Sequence, residues 1–269
     1  RLVGSEMCIR DRFYVGTSYR HLTIWDKGEV VELTPPHDVL GQVIGQYLPK
    51  TEALREMMKK SYDILSNHPI NVERMKKGLN PANSIWFWGA GTRPALAPFV
   101  EKTGHTGAMI SAVDLLKGIA VGADMKVVEV EGANGGLDTN YEGKADAAVE
   151  ALLKDDLDFA YIHLEAPDEM GHQGSFERKV QAIENLDKRI IKRVTEQLEA
   201  AGTDFRMLVL PDHPTPVAIR THVSDPVPYM LYDSTNKQSH TWNYNEKEAQ
   251  ESGNYIDKGY TIINHLFEK

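Results

Sequence analysis

Phe159-Ala160-Tyr161-Ile162-His163-Leu164-Glu165-Ala166-Pro167-Asp168-Glu169-Met170-Gly171-His172-Gln173-Gly174 reads as a buried strand that empties into a loop of acids, a histidine and glycines. An open α/β sheet puts its chemistry at this carboxyl edge of its strands. Asp168 and His172 are four apart. If Pro167 opens a helical turn, that spacing stacks both side chains on one face, close enough to hold one ion between a carboxylate oxygen and an imidazole nitrogen. The same design returns later, where Met207-Leu208-Val209-Leu210 runs into Pro211-Asp212-His213-Pro214 and Thr221-His222 stands just beyond.

Taken singly, each piece has an ordinary reading. An isolated Asp-x-x-x-His is often a solvated helix start with Asp in its first turn, and an Asp-His after a strand is often a turn. Together, Asp168, His172, Asp212, His213 and His222 supply enough hard and borderline ligands for one full divalent site and half of another.

Working outward, several strand-helix units surround these two loops. Strand-length apolar runs lie at Ser84 to Gly91, Gly107 to Val113, Met125 to Val130 and Val227 to Tyr232. Helices are expected from Leu115 to Ala120 with Asp114 as cap, from Tyr141 to Leu153, and from Phe176 to Gly202. The last carries Val180, Ile183, Leu186, Ile190, Val194 and Leu198 on its apolar side. Repeated βα units imply an α/β fold with a mainly parallel sheet covered by helices on both faces. Gly89-Ala90-Gly91 could approach a phosphate but reads as readily as a turn, and Lys117 and Lys144 are expected to be solvated on their helices.

Before Asn80 the texture differs. Tyr19 to Trp25 alternates, Asp26-Lys27-Gly28 is turn chemistry, and Val30 to Leu33 could return as the partner of a hairpin. Arg20 and His21 on that hairpin could grip an anion or simply face water. Thr34-Pro35-Pro36-His37-Asp38 is a stiff loop, Leu40 to Tyr47 a short helix, and Ala53 to Leu65 a helix with a stripe at Leu54, Met57, Met58, Tyr62 and Leu65. His68-Pro69 and Asn80-Pro81 punctuate its end, which places a domain boundary near Asn80. Residues 1–12 lack a sustained period of either kind and join awkwardly to the segment from Phe13. They are expected to be a non-native or mistranslated leader, the alternative being a short strand at Met7-Cys8-Ile9.

Composition sets outer limits. The chain has 269 residues, 41% hydrophobic and 26% charged, with a formal net charge of −9. Such a balance, without a Lys/Arg block, argues against nucleic acid as a partner but leaves room for a small anionic substrate met by a few arginines. No apolar run has membrane-spanning length, and the single cysteine, Cys8, fits a reducing, cytoplasmic setting.

From Phe13 onward the chain resembles the cofactor-independent phosphoglycerate mutases of the archaeal type, within the alkaline phosphatase superfamily. The resemblance rests on Ser18-Tyr19-Arg20-His21, Thr34-Pro35-Pro36-His37-Asp38, Pro81 to Trp86, Ile110 to Gly118, Leu137 to Lys144, Glu165-Ala166-Pro167-Asp168, Pro211 to Pro216 and Arg220-Thr221-His222. It implies an alkaline-phosphatase-like α/β domain over 81–269, with 13–80 as the remnant of a smaller inserted α+β substrate domain. It further implies interconversion of 3- and 2-phosphoglycerate through a phosphoserine enzyme, without 2,3-bisphosphoglycerate. Two divalent ions would assist, manganese first, with magnesium, cobalt or zinc as alternatives. One ion would be held by Asp168, His172 and His222, the other by Asp212 and His213, while Arg20 and His21 would bind the phosphoglycerate anion.

The nucleophilic serine and a further aspartate of that family match nothing in this chain. The expectation is therefore a truncated chain with a partial metal site and no turnover of its own. A phosphatase, a homoserine kinase and a catalytically silent binding module are the other classes in play.

Overall fold

Strand pairing begins where the apolar runs are densest. The computed structural model describes residues 12–16, 20–39, 41–237 and 241–268, and the chain divides into two compact units, Arg1–Pro94 and Ala95–Lys269. Residues 1–11 of the expected leader, including Met7-Cys8-Ile9, lie outside the described residues, as do Ser18 and Tyr19 of the Arg20 motif and Leu40 of the expected short helix.

The first unit opens on a hairpin, β1 (Arg12–Val15) antiparallel to β2 (His21–Ile24), with Phe13 opposite Thr23. This corrects the expected pairing of β2 with Val30–Leu33. The Asp26-Lys27-Gly28 turn does form, with Gly28 N–H donating to the Trp25 carbonyl at 3.2 Å, but β2 is paired with the upstream strand and Val30–Leu33 stays irregular. Of the helix expected up to Tyr47, the described part is a single 3₁₀ turn, Ile44–Tyr47. Helix α1 (Glu52–Leu65) buries Leu54 and Met58 of its stripe. His68-Pro69 starts a helix, α2 (Pro69–Lys76), where a break was expected. His68 Nδ1 accepts the Ile70 N–H at 3.3 Å, and proline at a first helical position has no N–H to leave unpaired.

Buried Asn71 then fastens the segment after Asn80 back onto this unit. Its amide donates to the carbonyls of Leu65 (2.8 Å) and Ala82 (2.9 Å), and its oxygen accepts the Ala82 N–H at 2.9 Å. Trp86 Nε1 donates to the Thr34 carbonyl at 2.8 Å. The run Ser84 to Gly91, expected as a strand, is held by such side-chain bonds and takes no ladder.

In the second unit, α3 (Phe99–Thr103) precedes the buried strand β3 (Gly107–Ile110). Helix α4 (Asp114–Gly122) comes next, with Val113 and not Asp114 at its cap. Strand β4 is Lys126–Val127 alone, shorter than the apolar run that contains it. Helix α5 (Tyr141–Leu153) starts where Asn140 Oδ1 accepts the Gly143 N–H at 2.9 Å, an N-cap that satisfies an otherwise unpaired donor. Strand β5 is Phe159–Ile162, and the sheet order is β4-β3-β5, parallel throughout, with Ile110 opposite Ile162.

Helix α6 (Ala166–His172) leaves β5 after a short loop. Helices α7 (Phe176–Leu186) and α8 (Lys192–Ala200) are joined by a wide π turn, Asp187–Ile191. The extra residue in that turn rotates the helix face. Ala182, Ile190, Val194 and Leu198 are therefore buried, while Val180 and Ile183, expected on the same stripe, stand exposed. Gly202 at φ +67° ends the run as expected.

Strand β6 (Arg206–Val209) pairs antiparallel with β7 (Met230–Asp233). A parallel crossover usually runs through a helix between the strands. The proline-rich link 210–229 contains none, and the chain returns beside its own strand. Helices α9 (Glu246–Ser252) and α10 (Ile262–Phe267) complete the unit.

Helix α5 stands between two apolar clusters. Tyr141, Ala145 and Val149 join Ala166 and Met170 of α6 with Ile190, Val194 and Leu198, whereas Ala148 and Ala151 join Ala108 and Ile110 of β3. The ends of β5 and β6, with the loops that leave them, are positioned from this core.

Candidate metal centre

The Asp168–His172 pair arises as helical spacing predicts. Pro167 sits in the first turn of α6, and the two side chains share a face, with Asp168 Oδ2 at 3.3 Å from His172 Nε2. The loop after β6 carries Asp212, His213 and Thr215, turns at Pro216–Arg220, and closes where the Val223 N–H donates to the Pro214 carbonyl at 3.2 Å. This closure sets His222 against α6. His222 Nε2 lies 3.3 Å from Asp168 Oδ1 and 3.1 Å from His172 Nε2.

Asp168, His172 and His222 bring one ligand atom each within 4.8 Å of one another, the one such trio found among the described residues. His213 lays its ring against His222, centroids 3.7 Å apart and the planes tilted by 37°. Asp212 Oδ2 lies 3.5 Å from His213 Nε2, and Asp212 Oδ1 accepts the His213 N–H at 3.1 Å. Arg20 and His21 belong to the other unit, at the start of β2; His21 Nδ1 accepts the Gly16 N–H at 3.3 Å.

Proton positions decide whether a cation suits this trio. His172 Nδ1 faces the Arg220 carbonyl at 3.0 Å, and a carbonyl accepts only, so Nδ1 carries the hydrogen. In the neutral ring Nε2 is then a lone pair, and it points at a carboxylate oxygen. Two acceptors converging at 3.3 Å repel unless a cation or a shared proton lies between them. The donor set fits a divalent ion on that ground, with the Arg220 carbonyl as the outer partner that orients the ligand ring.

Sequence reasoning missed the groups that hold the loops together. Gly171 admits the Thr215 carbonyl so closely that a Cβ there would lie 2.4 Å from its oxygen. Lys179 Nζ donates to that carbonyl at 2.6 Å; burial lowers the Lys179 pKa while Asp168 raises it. The Thr215 hydroxyl donates to Asp168 Oδ1. Arg220, at φ +59°, turns its carbonyl to His172 and lays its guanidinium against Gly174. Thr215 and Arg220 lie inside motifs that carried the resemblance, but nothing in their residue types announces these contacts.

Lys144 corrects an expectation outright. It is 1% exposed, and its ammonium donates to the His163 carbonyl at 3.2 Å, where burial pulls its pKa down against the pull of Glu165. His163 bonds Ser111 Oγ through Nδ1 at 3.3 Å, and burial lowers its pKa, so the ring favours the neutral form. Lys117, also expected in solvent, pairs with Glu129 at 2.7 Å.

The sequence profile of the Metalloenzyme superfamily matches residues 15–268. A 2,3-bisphosphoglycerate-independent phosphoglycerate mutase of Methanosarcina barkeri is 48% identical over 246 residues, which cover 90% of this chain and 61% of that protein. A protein of Geobacter sulfurreducens, described as a probable mutase of the same kind, is 44% identical over 263 residues, 96% of this chain and 65% of the relative. A solved structure from Pyrococcus horikoshii superposes with a TM-score of 0.65 at 33% identity, covering 74% of this chain and 51% of that one. The chain thus spans 61% and 65% of the length of these two mutase relatives. With a profile match over nearly all of its residues, the chain belongs to the Metalloenzyme superfamily.

Proposed function

We propose that this chain is the metal-binding part of a phosphoglycerate mutase that interconverts 3- and 2-phosphoglycerate without 2,3-bisphosphoglycerate. One observation carries the reading: Asp168, His172 and His222 converge at 3.1–3.3 Å, with the His172 ring oriented by a carbonyl on its far side. The names of the relatives give it a substrate class.

In this reading Asp168, His172 and His222 hold one divalent ion, and Asp212 and His213 contribute to a second. Mixed carboxylate and imidazole donors engaged with phosphate favour manganese, with cobalt, zinc or magnesium as competitors. When bound, such ions lower the pKa of an attacking hydroxyl and neutralise charge on a phosphoryl group in transit. The chain's own residues do the rest. Asp168 supplies charge, Arg220 keeps His172 in its ligating tautomer, and Arg20 and His21 provide a guanidinium and an imidazole for the substrate anion. The reading puts the reaction in the cytoplasm, in keeping with a single cysteine, Cys8, which fits a reducing compartment. Among the described residues no helix is long and apolar enough to cross a membrane.

The test grafts residues 13–269 in place of the matching segment of the Methanosarcina barkeri relative and supplies Mn2+. The chimera is expected to convert 3- to 2-phosphoglycerate, and His222→Ala in the same chimera to lose about 100-fold or more in kcat, a few kcal/mol of lost charge stabilisation. Release of inorganic phosphate without isomerisation, or ATP-dependent phosphorylation of homoserine, would overturn the mutase reading in favour of a related phosphoryl-transfer enzyme.

A further inference from the structure

One hydroxyl touches both halves of the ligand set. Thr215 Oγ1 contacts Asp168 Oδ1 on one side and His213 Nδ1, at 3.3 Å, on the other. A threonine hydroxyl has one hydrogen to give and lone pairs to accept with, whereas a carboxylate only accepts. The hydrogen therefore goes to Asp168, and the second contact is a bond only if His213 Nδ1 carries a hydrogen of its own and donates it.

We propose that Thr215 is a positioning residue of the metal centre: accepting from His213 Nδ1–H while donating to Asp168, it leaves the His213 Nε2 lone pair free to ligate. That lone pair lies on the side of Asp212 Oδ2, 3.5 Å away. The same logic applies to His172, where the Arg220 carbonyl fixes Nδ1–H. His213 differs because its orienting partner is itself bonded to a ligand of the other ion.

The backbone around Thr215 is built for this posture. Lys179 clamps the Thr215 carbonyl at 2.6 Å, and Gly171 leaves room for it against α6. Thr215 is 3% exposed, so its hydroxyl does not exchange these partners freely for water. The methyl group packs over Gly171, where a Cβ would meet it at 3.0 Å, and valine can retain that packing without the hydroxyl.

The inference rests on the metal-binding part of the proposed function and not on mutase chemistry. The experiment has two arms on the full chain. In metal-free, 15N-labelled protein, long-range 1H–15N correlation spectra are expected to show His213 as the Nδ1–H tautomer, and an Nε2–H tautomer would overturn the proposal. In titrations with Mn2+, Thr215→Val is expected to weaken binding about 10- to 100-fold, the usual loss for an outer partner of a ligand, while Thr215→Ser binds as the unsubstituted chain does. Equal loss in both variants, or none in Thr215→Val, would overturn it. A chain that takes up no Mn2+ yet holds His213 as Nδ1–H would sink the metal reading and, with it, the role of Thr215 at a metal centre, leaving only its hold on the His213 tautomer.

Discussion

Gly171 shows how one missing side chain can set the geometry of a centre built by others. The glycine lies on α6 one residue before His172, and the Thr215 carbonyl occupies the space where its Cβ would stand. Gly171→Ala is expected to push the 211–216 loop off α6. The backbone oxygen it meets is pinned by Lys179 and cannot swing aside as a flexible side chain would. Overpacking of this kind costs about 1–3 kcal/mol, so thermal melts should show a lowered midpoint, accompanied by weaker Mn2+ uptake as His222 moves away from Asp168. An unchanged midpoint with unchanged uptake would show that the loop adapts and that the close approach does not matter. Asp168 and His172 could be read from sequence because helical periodicity alone stacks positions four apart. The roles of Gly171, Thr215 and Arg220 could not, since they work through a carbonyl, an absent atom and a hydroxyl, which carry no residue-type signature at long range.

At the scale of elements, α5 was legible to its ends because local chemistry and tertiary demand agree. Asn140 caps it, and alanines let it sit between two apolar clusters. Lys144 broke the pattern. A lysine on a helix is solvated by default, yet this one points inward and bonds the carbonyl of His163, just where β5 gives way to the loop before α6. Lys144→Met keeps the apolar stem and removes the donor that the half-buried His163 carbonyl accepts from. Leaving such a carbonyl without its donor costs about 1–3 kcal/mol, and urea unfolding should report a loss in that range. A variant as stable as the parent, or more so, would mean that desolvation of the ammonium had already cancelled the bond. Elements set by competition between partners were harder to foresee. The apolar run Ser84 to Gly91 has strand texture but is tied down by Ser61 and Trp86 side-chain bonds. Likewise, β7 runs antiparallel, after a link that holds none of the helix usual in a parallel crossover.

For the whole molecule, the α/β class was readable from the succession of strand and helix signals, whereas the extent of each sheet was not, because pairing depends on which edges find partners. The division into Arg1–Pro94 and Ala95–Lys269 has a direct consequence for metal binding. Asp168, His172, Asp212, His213 and His222 all lie in the second unit, together with Arg220, which bonds His172, Thr215, which bonds Asp168, and Lys179, which bonds the Thr215 carbonyl. Both apolar clusters that position β5, α5 and α6 lie there too. Every group named above as shaping the Asp168 trio is in the second unit, so a polypeptide of residues 95–269 is expected to fold and to bind Mn2+ within about twofold of the full chain, the scatter usual for independent parts. Circular dichroism would establish the fold, and calorimetric titration the affinity. Adding Asp168→Asn should remove binding from both polypeptides alike, since an amide offers no charge to offset an ion stripped of water. A folded 95–269 that fails to bind while the full chain does would place an essential ligand in the first unit, and the centre would have to be redrawn around it.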